Sequence, residues 1–484
     1  MSDEAAIRKA LAILLICLLP PVAPVAAADT ESLRIGDPLL ARPPDLITGR
    51  LLPGDDQRVE CAASPYVAGK ALSLADAIDQ ALCQQPQIQA AWAAIKFQSA
   101  QLGEARAGYL PTVTSGASKL NSATQYEGGS SRRSLTTLYA TLTWRLLDFG
   151  GRSANQRAAD AMLQSALASH DAAVQKALAS VVASYYEVQS TSASQQAREK
   201  SQQLARQLLE TAIRREQRGV GSLPETLQAR TFLAKAELEQ ARASGQHKKA
   251  QAMLAAAMGL LREAQDVPVL TLVPEQEEYP DGLEQNLPAW LQAARQYHPA
   301  ILAARAQLDA AREKLQVARS EGMPTLDLSA SQYANGRPNQ AGNRGDRERM
   351  VGLNLTVPIF EGFARDYKVG GAQAQIEARE AELQEVQTQV LGDIASTYAE
   401  AMTALNSLSS SRRLLDAAQG AVDSVRRKYD AGAADIVEML NAQTALSEAD
   451  QERVKAMSDW RSARLRLLAN AGRMGRWAVA GNAR

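Results

Sequence analysis

The chain has 484 residues, with 53 Lys plus Arg against 53 Asp plus Glu, and is 46% apolar but only 5% aromatic. Zero formal net charge leaves no basic footprint for a nucleic-acid partner, and the apolar content is too high for wholesale disorder. Alanine and leucine dominate that content, which favours long helices with narrow seams over a globular enzyme core.

Arg8-Lys9, an apolar run from Ala10 to Leu19 and then Ala26-Ala27-Ala28 read as the three parts of a secretory signal peptide over residues 1–28. The acidic Asp3-Glu4 is atypical of such a leader, and a start codon misplaced upstream would explain it. No run is long enough for a transmembrane helix, and Cys17 behind bulky Ile16 is a poor lipidation site. The exported chain then keeps Cys61 and Cys83. In an oxidising periplasm this pair favours a disulfide tying the N-terminal segment to the first helix, against the alternative of two free buried thiols. Residues 29–70, rich in Pro, Gly and charge, read as an extended periplasmic arm.

Beyond residue 70 the chain is written twice. Pro86 and Pro299 stand 213 positions apart (299 − 86), as do Pro111 and Pro324 (324 − 111) and Gly219 and Gly432 (432 − 219). Phe149 and Phe360 differ by 211 (360 − 149). The unit is far longer than a solenoid repeat, so the halves are duplicated half-domains, residues 71–262 and 288–472, with a proline-broken linker at 263–287 and a tail at 473–484.

In the first half, Leu72 to Leu82 predicts a short helix, and Pro86 opens a second that runs to about Tyr109. Strands are expected within about 111–147: Thr112 to Asn121, a polar loop from Ser122 to Arg133, then Leu138 to Leu146. In the latter, Leu138, Ala140, Leu142, Trp144 and Leu146 share one face and Tyr139, Thr141, Thr143 and Arg145 the other. The second half repeats this within about 324–360, with Thr325 to Tyr333, a polar loop from Ala334 to Arg347, and an alternating run from Val351 to Ile359. Strands apolar outside and polar inside, joined by polar loops, fit hairpins of a membrane barrel. A half-buried soluble hairpin is the alternative for either pair alone.

Long helical patterns follow each hairpin, at about 151–260 and 365–470. The first runs from Gly151 to about Glu216, roughly 100 Å at the α-helical rise, with a seam of Leu167, Val174, Val181 and Val188 at sevenfold spacing. It turns at Arg218-Gly219-Val220-Gly221-Ser222-Leu223-Pro224 and returns from Glu225 to about Leu260. The second spans about Arg365 to Lys428, turns at Ala431-Gly432-Ala433 and returns from Asp435 to about Ala469.

This layout resembles the TolC family of outer-membrane export ducts over roughly residues 70–472. The resemblance is carried by Tyr109-Leu110-Pro111, Leu147-Asp148-Phe149-Gly150-Gly151, Val357-Pro358-Ile359-Phe360-Glu361-Gly362 and the turns at Gly219 and Gly432. The arm with Cys61 and the stretch Ala81-Leu82-Cys83-Gln84-Gln85-Pro86 also looks like the CyaE-like branch, which serves type I secretion. The resemblance implies a mostly helical chain with a membrane β-barrel: a duplicated coiled-coil α-barrel and four strands per chain, closing as twelve strands in a homotrimer. It further implies an outer-membrane location with the helices in the periplasm, a periplasmic adaptor, and an inner-membrane ABC or proton-driven transporter as partners. Type I protein secretion is the leading function, small-molecule efflux the second, and a soluble periplasmic coiled-coil scaffold a third.

The periplasmic tip expected to dock the adaptor comprises Gly219, Val220, Gly221, Ser222, Leu223, Gly432 and Ala433. Family members with a well-described gate carry an arginine two residues past the second glycine, where this chain has Ala434. The constriction residues expected here are therefore Arg218, Glu225, Tyr429 and Glu438, with Arg218 pairing with Glu225 or with a neighbouring subunit's Glu438. No enzyme signature stands out: the three histidines, His170, His247 and His298, lack metal-ligand spacing, and Gly219-Val220-Gly221 is a turn rather than a nucleotide loop. No catalytic group, metal or cofactor is expected.

Overall fold

The computed structural model describes residues 39–41, 53, 55, 61, 71–262, 268–273, 283, 286–335, 337, 347–431, 433–434, 436–475 and 478. The expected signal peptide, most of the arm, much of the linker and Gly432 lie outside the described residues. Residues up to Leu40 belong to one compact unit and those from Ala41 onward to another.

Each half carries two short helices, a β-hairpin, a long helix and a returning helix. The first half has α1 (Leu74–Gln84), α2 (Pro86–Ala107), β1 (Thr112–Tyr126), β2 (Gly129–Leu147), α3 (Gly151–Gln217) and α4 (Leu223–Ala257). The second has α5 (Leu287–Tyr297), α6 (Pro299–Ser320), β3 (Thr325–Ala334), β4 (Arg347–Thr356), α7 (Ala364–Asp430) and α8 (Ile436–Asn470). Every helix start recurs 213 residues on, from Leu74 to Leu287 (287 − 74), Pro86 to Pro299 (299 − 86), Gly151 to Ala364 (364 − 151) and Leu223 to Ile436 (436 − 223). The duplication is therefore one of folded elements.

Local chemistry sets the boundaries. Ser73 and Asp76 form a capping box at α1, and Pro86 and Pro299 occupy the first turn, where a missing N–H costs nothing. His298 caps α6 by accepting the Ala300 N–H at its Nδ1, 3.2 Å away. Between sheet and long helix the chain reverses through Phe149 (φ 49°) and Gly150 (φ 91°), and again through Gly362 (φ 62°) and Phe363 (φ 63°). Asp148 fixes the first reversal, accepting from the Arg152 backbone N–H at 2.7 Å and its Nε at 3.0 Å. Burial pushes the Asp148 carboxyl up, but the hydrogen bonds and charge of Arg152 outweigh it and hold it below its ordinary value.

The long helices hold together through heptad seams. Buried Ala229, Ala236, Ala243, Ala250 and Ala257 recur every seven residues along α4, and Ala449, Ala456 and Ala463 along α8. Such small knobs let backbones approach closely. α3 answers with Val174, Val181 and Val188, and α7 with Ile394, Ala401 and Leu408. Near mid-length α3 gathers a belt of larger residues, where Val181 and Tyr185 pack with Ile78 of α1, Leu254 of α4, and Leu270 and Met474 from outside the helices. Polar side chains stitch the belt: Gln175 Nε2 donates to the Met474 carbonyl at 3.0 Å, and the Tyr185 hydroxyl to that of Leu72 at 3.3 Å.

The four strands form one antiparallel sheet in the order β1-β2-β3-β4. The hairpin of the first half is longer than expected. The stretch read as a polar loop, Ser122 to Arg133, is strand up to Tyr126 and again from Gly129, leaving Glu127-Gly128 as the turn. Threonine and serine suit a pleated ribbon without apolar alternation, so the strands run on past the point where their periodicity fades.

Candidate channel wall and periplasmic mouth

Register makes the sheet two-faced. Leu142 of β2 stands opposite Val113 of β1 and Ala330 of β3, which faces Val351 of β4. A second row joins Trp144, Leu328 and Leu353, and a third Leu147, Leu326 and Leu355. Val351 is 74% exposed, Leu353 64% and Leu355 66%, an apolar strip that water does not favour. The opposite face carries Thr112, Thr114, Thr141, Thr143, Ser329 and Ser331 in matching rows, with Arg145 paired to Asp327 at 3.0 Å. Tyr139 and Tyr333 lie side by side there, ring centroids 6.2 Å apart. The Tyr139 ring rests where a Gly116 side chain would be, since a Cβ at that position would meet its hydroxyl at 2.6 Å. At the helix-side end of the sheet, Tyr109, Trp144, Phe149, Phe360 and Phe363 are all exposed, as aromatic residues at a membrane interface are. Trp144 keeps its indole N–H bonded to the Tyr109 carbonyl at 2.9 Å.

At the far ends of the long helices lie the two turns expected to form the mouth. α3 closes with Gly219 at φ 74°, its N–H donating to the Glu216 carbonyl at 2.9 Å while Val220 and Gly221 donate to that of Arg215 at 3.1 and 3.0 Å. A Cβ on Gly221 would sit 2.9 Å from the Glu216 nitrogen, so the chain needs glycine there. Ser222 precedes α4 as its N-cap residue without a side-chain cap bond. Val220 and Leu223 are 67% and 58% exposed. In the second tip the Ala433 N–H donates to the Lys428 carbonyl at 2.8 Å, and Glu438 occupies the first turn of α8 as Glu225 does that of α4.

The two tips are joined. Ala212, Ala229, Ile436 and Leu440 form one buried cluster, with Phe232 and Tyr429 packed against it. The expected cation at this joint, Arg218, is exposed at the end of α3, and among the described residues no ion pair joins it to Glu225. The structure instead brings Arg215 over the Tyr429 ring, 5.5 Å from its centroid. Sequence reasoning missed Arg215 because it is one of many helical arginines, and the partner that singles it out lies 214 residues away (429 − 215).

Far from both, Cys61 Sγ and Cys83 Sγ are bonded at 2.08 Å, linking Cys61 to the last turn of α1. Two of the histidines hold local contacts: His298 caps α6, while His247 Nε2 lies 3.1 Å from Gln251 Nε2 and its Nδ1 3.3 Å from the Thr191 hydroxyl. Among the described residues no group of three or more side chains could hold a metal ion, and no helix is long and apolar enough to cross a membrane.

The family model "Outer membrane efflux protein" matches residues 77–260 and 290–473, two segments again 213 apart (290 − 77). Protein CyaE of Bordetella pertussis is 36% identical over 416 residues, covering 85% of this chain and 86% of that protein. The alkaline protease secretion protein AprF of Pseudomonas aeruginosa is 26% identical over 260 residues, 53% of each chain. Among solved structures, the outer-membrane channel OprN superposes with a TM-score of 0.71 at 20% identity, covering 90% of this chain and 98% of that one.

Proposed function

The chain belongs to the outer membrane efflux protein family, the family of TolC, and on that footing we propose that it forms a trimeric exit duct for protein secretion. As a member of that family it is an outer-membrane protein with a periplasmic helical part. The observation that carries the proposal is the two-faced sheet with open edges. One chain offers four strands, whereas single-chain barrels begin at eight. β1 and β4 each leave a row of backbone N–H and C=O groups unpaired, and hydrocarbon does not tolerate that. Pairing β4 of one copy with β1 of the next removes both edges. Three copies give twelve strands, apolar outside and polar within. Beneath them, the α3–α4 and α7–α8 hairpins continue the wall through the periplasm to the mouth.

Two features support protein as the cargo. CyaE aligns over most of the chain, and AprF is named for protease secretion. Energy comes from an inner-membrane transporter, ABC in type I secretion and proton-driven in efflux, joined through a periplasmic adaptor at the exposed Val220 and Leu223. Gating rests on the tip joint and on Arg218, Glu225 and Glu438 across subunits. The duct itself needs no catalytic group.

The test is the purified protein in outer-membrane fractions and planar bilayers, alongside a deletion strain. A heat-modifiable trimer that conducts, with a secreted protein held back in the deletion strain, is the expected result. A chain that stays in the soluble periplasmic fraction defeats the duct. A deletion strain that secretes normally but becomes sensitive to small toxic compounds shifts the cargo to efflux.

A further inference from the structure

The outward face of the sheet changes character away from the helices. Above the three apolar rows, β4 carries Arg349 opposite Gln332 and Arg347 opposite Ala334. On β1 the same face reaches Lys119, opposite Thr136, and on β2 it reaches Arg132, opposite Ala123. All four side chains are exposed. Among the described residues none of them joins an ion pair, and the outward positions of the strands hold no aspartate or glutamate. The acids of the sheet, Asp327 and Glu348, face the other way, where Arg145 and Arg337 pair with them. Four cations without one acid, on a face that is otherwise apolar or weakly polar, make that face attractive to an anion from outside the chain.

Position says which anion. The exposed leucines and valines lie below Lys119, Arg347 and Arg349, which stand where that apolar wall ends, while Arg132 lies farther out, in the polar continuation of the β1–β2 hairpin. Long Lys and Arg side chains reach along a barrel wall to place their heads at that boundary. Lys119 lies on one edge strand and Arg347 and Arg349 on the other. Pairing β4 with the next copy's β1 therefore brings these three charges to a single seam, where they repel unless an anion lies among them.

We propose that this basic belt binds the phosphate groups of lipid headgroups in the leaflet at the hairpin-tip side of the barrel, with three equivalent seams per trimer. The inference rests on the trimeric reading for the clustering at the seam; the outward placement of the four cations comes from the register within one chain.

The experiment uses the full-length protein in phosphatidylcholine vesicles containing lipid A or lipid A stripped of its phosphates. After detergent extraction, the lipid A retained per protein is quantified by mass spectrometry. Wild type should retain the phosphorylated lipid selectively, and K119Q/R132Q/R347Q/R349Q should lose it, by roughly fivefold for each charge removed. The double variant K119Q/R132Q, confined to the first hairpin, should lose an intermediate amount if the quadruple variant fails to fold. R145Q, on the lumen face, should retain as much as wild type. Equal retention by wild type and a double or quadruple variant that still forms a conducting trimer overturns the proposal, as does equal retention of the dephosphorylated lipid. Full displacement by inorganic phosphate overturns the lipid assignment in favour of a free-anion site. A wild-type chain that forms no trimer counts against the duct instead, and retention by its outward face is still read in the same assay.

Discussion

Replacing Tyr429 with alanine should unfasten the joint between the two periplasmic tips. The ring packs against a small cluster of Ala212, Ala229, Ile436 and Leu440 and lies beneath the Arg215 guanidinium. Truncating a fully buried large aromatic costs about 3–5 kcal/mol. Tyr429 is half-buried, so roughly half of that, about 2 kcal/mol, is expected, and the lost cation–π contact adds about 0.5–1 kcal/mol. Each chain then loses about 2–3 kcal/mol at the joint, a bias of roughly 30- to 150-fold toward the parted tips. In planar bilayers the variant should show a resting conductance well above that of wild type, while its heat-modifiable trimer survives. Arg215→Ala removes only the cation and should raise the resting conductance by roughly two- to fivefold. If Tyr429→Ala stays as closed as wild type, or Arg218→Ala opens the mouth more than Arg215→Ala does, the joint described here is not the gate.

Four further outcomes follow from particular residues. Leu142→Arg, on the apolar face, should cost about 2–4 kcal/mol of barrel stability near mid-membrane, read as loss of refolding into vesicles, whereas Thr141→Arg on the opposite face should cost far less. His298 is held below its ordinary pKa by burial, partly offset by its Asn470 and Asp393 surroundings; its stabilisation is thus present above about pH 6.5 and lost as pH falls through the depressed folded value. Melting temperature should therefore fall on mild acidification, and fall less in His298→Asn, which caps without titrating. Glu438→Gln should weaken cation preference in single-channel recordings if these carboxylates ring the constriction, and unchanged selectivity removes them from it. Leu223→Ser should reduce co-purification of the adaptor without lowering conductance, since the side chain is exposed at the tip.

The duplication and the long helices were legible because their signals are local and repeated: prolines at helix starts, glycines at turns, and a leucine and three valines at sevenfold spacing. The two faces of the sheet were legible from alternation in Leu138 to Leu146 and in Val351 to Leu355, although β4 ends at Thr356 rather than at Ile359. The length of the first hairpin was not, because Ser122 to Arg133 lies beyond the apolar rows, where nothing selects alternation and the strand signal rests on threonine and serine alone. The start of α4 at Leu223 rather than Glu225 follows from Pro224, which is tolerated inside the first turn as well as before it. The Arg215–Tyr429 contact and the belt of Lys119, Arg132, Arg347 and Arg349 were hidden for another reason. The first depends on residues that the fold sets side by side across the two halves, the second on which face of the sheet the register gives each cation, and no local pattern marks either.

Two copies of one unit need not do the same thing, and the tips show where they part. Leu223 and Ile436 hold the same place at the start of their returning helices, 213 residues apart (436 − 223). Leu223 is 58% exposed, while Ile436 is 4% exposed beneath the neighbouring tip. The difference arises because the tips pack against each other unsymmetrically: the second gives up its isoleucine to the joint with Ala212 and Ala229, and the first keeps its leucine and Val220 free. Duplication thus leaves one apolar surface buried in the joint and a second exposed; in the proposed duct the first would close the mouth and the second would meet the adaptor. A trimer would present three surfaces of each kind in alternation around the mouth. An adaptor that grips only the first tip then leaves the joint free to open, which is what a duct that must both stay shut and stay attached requires.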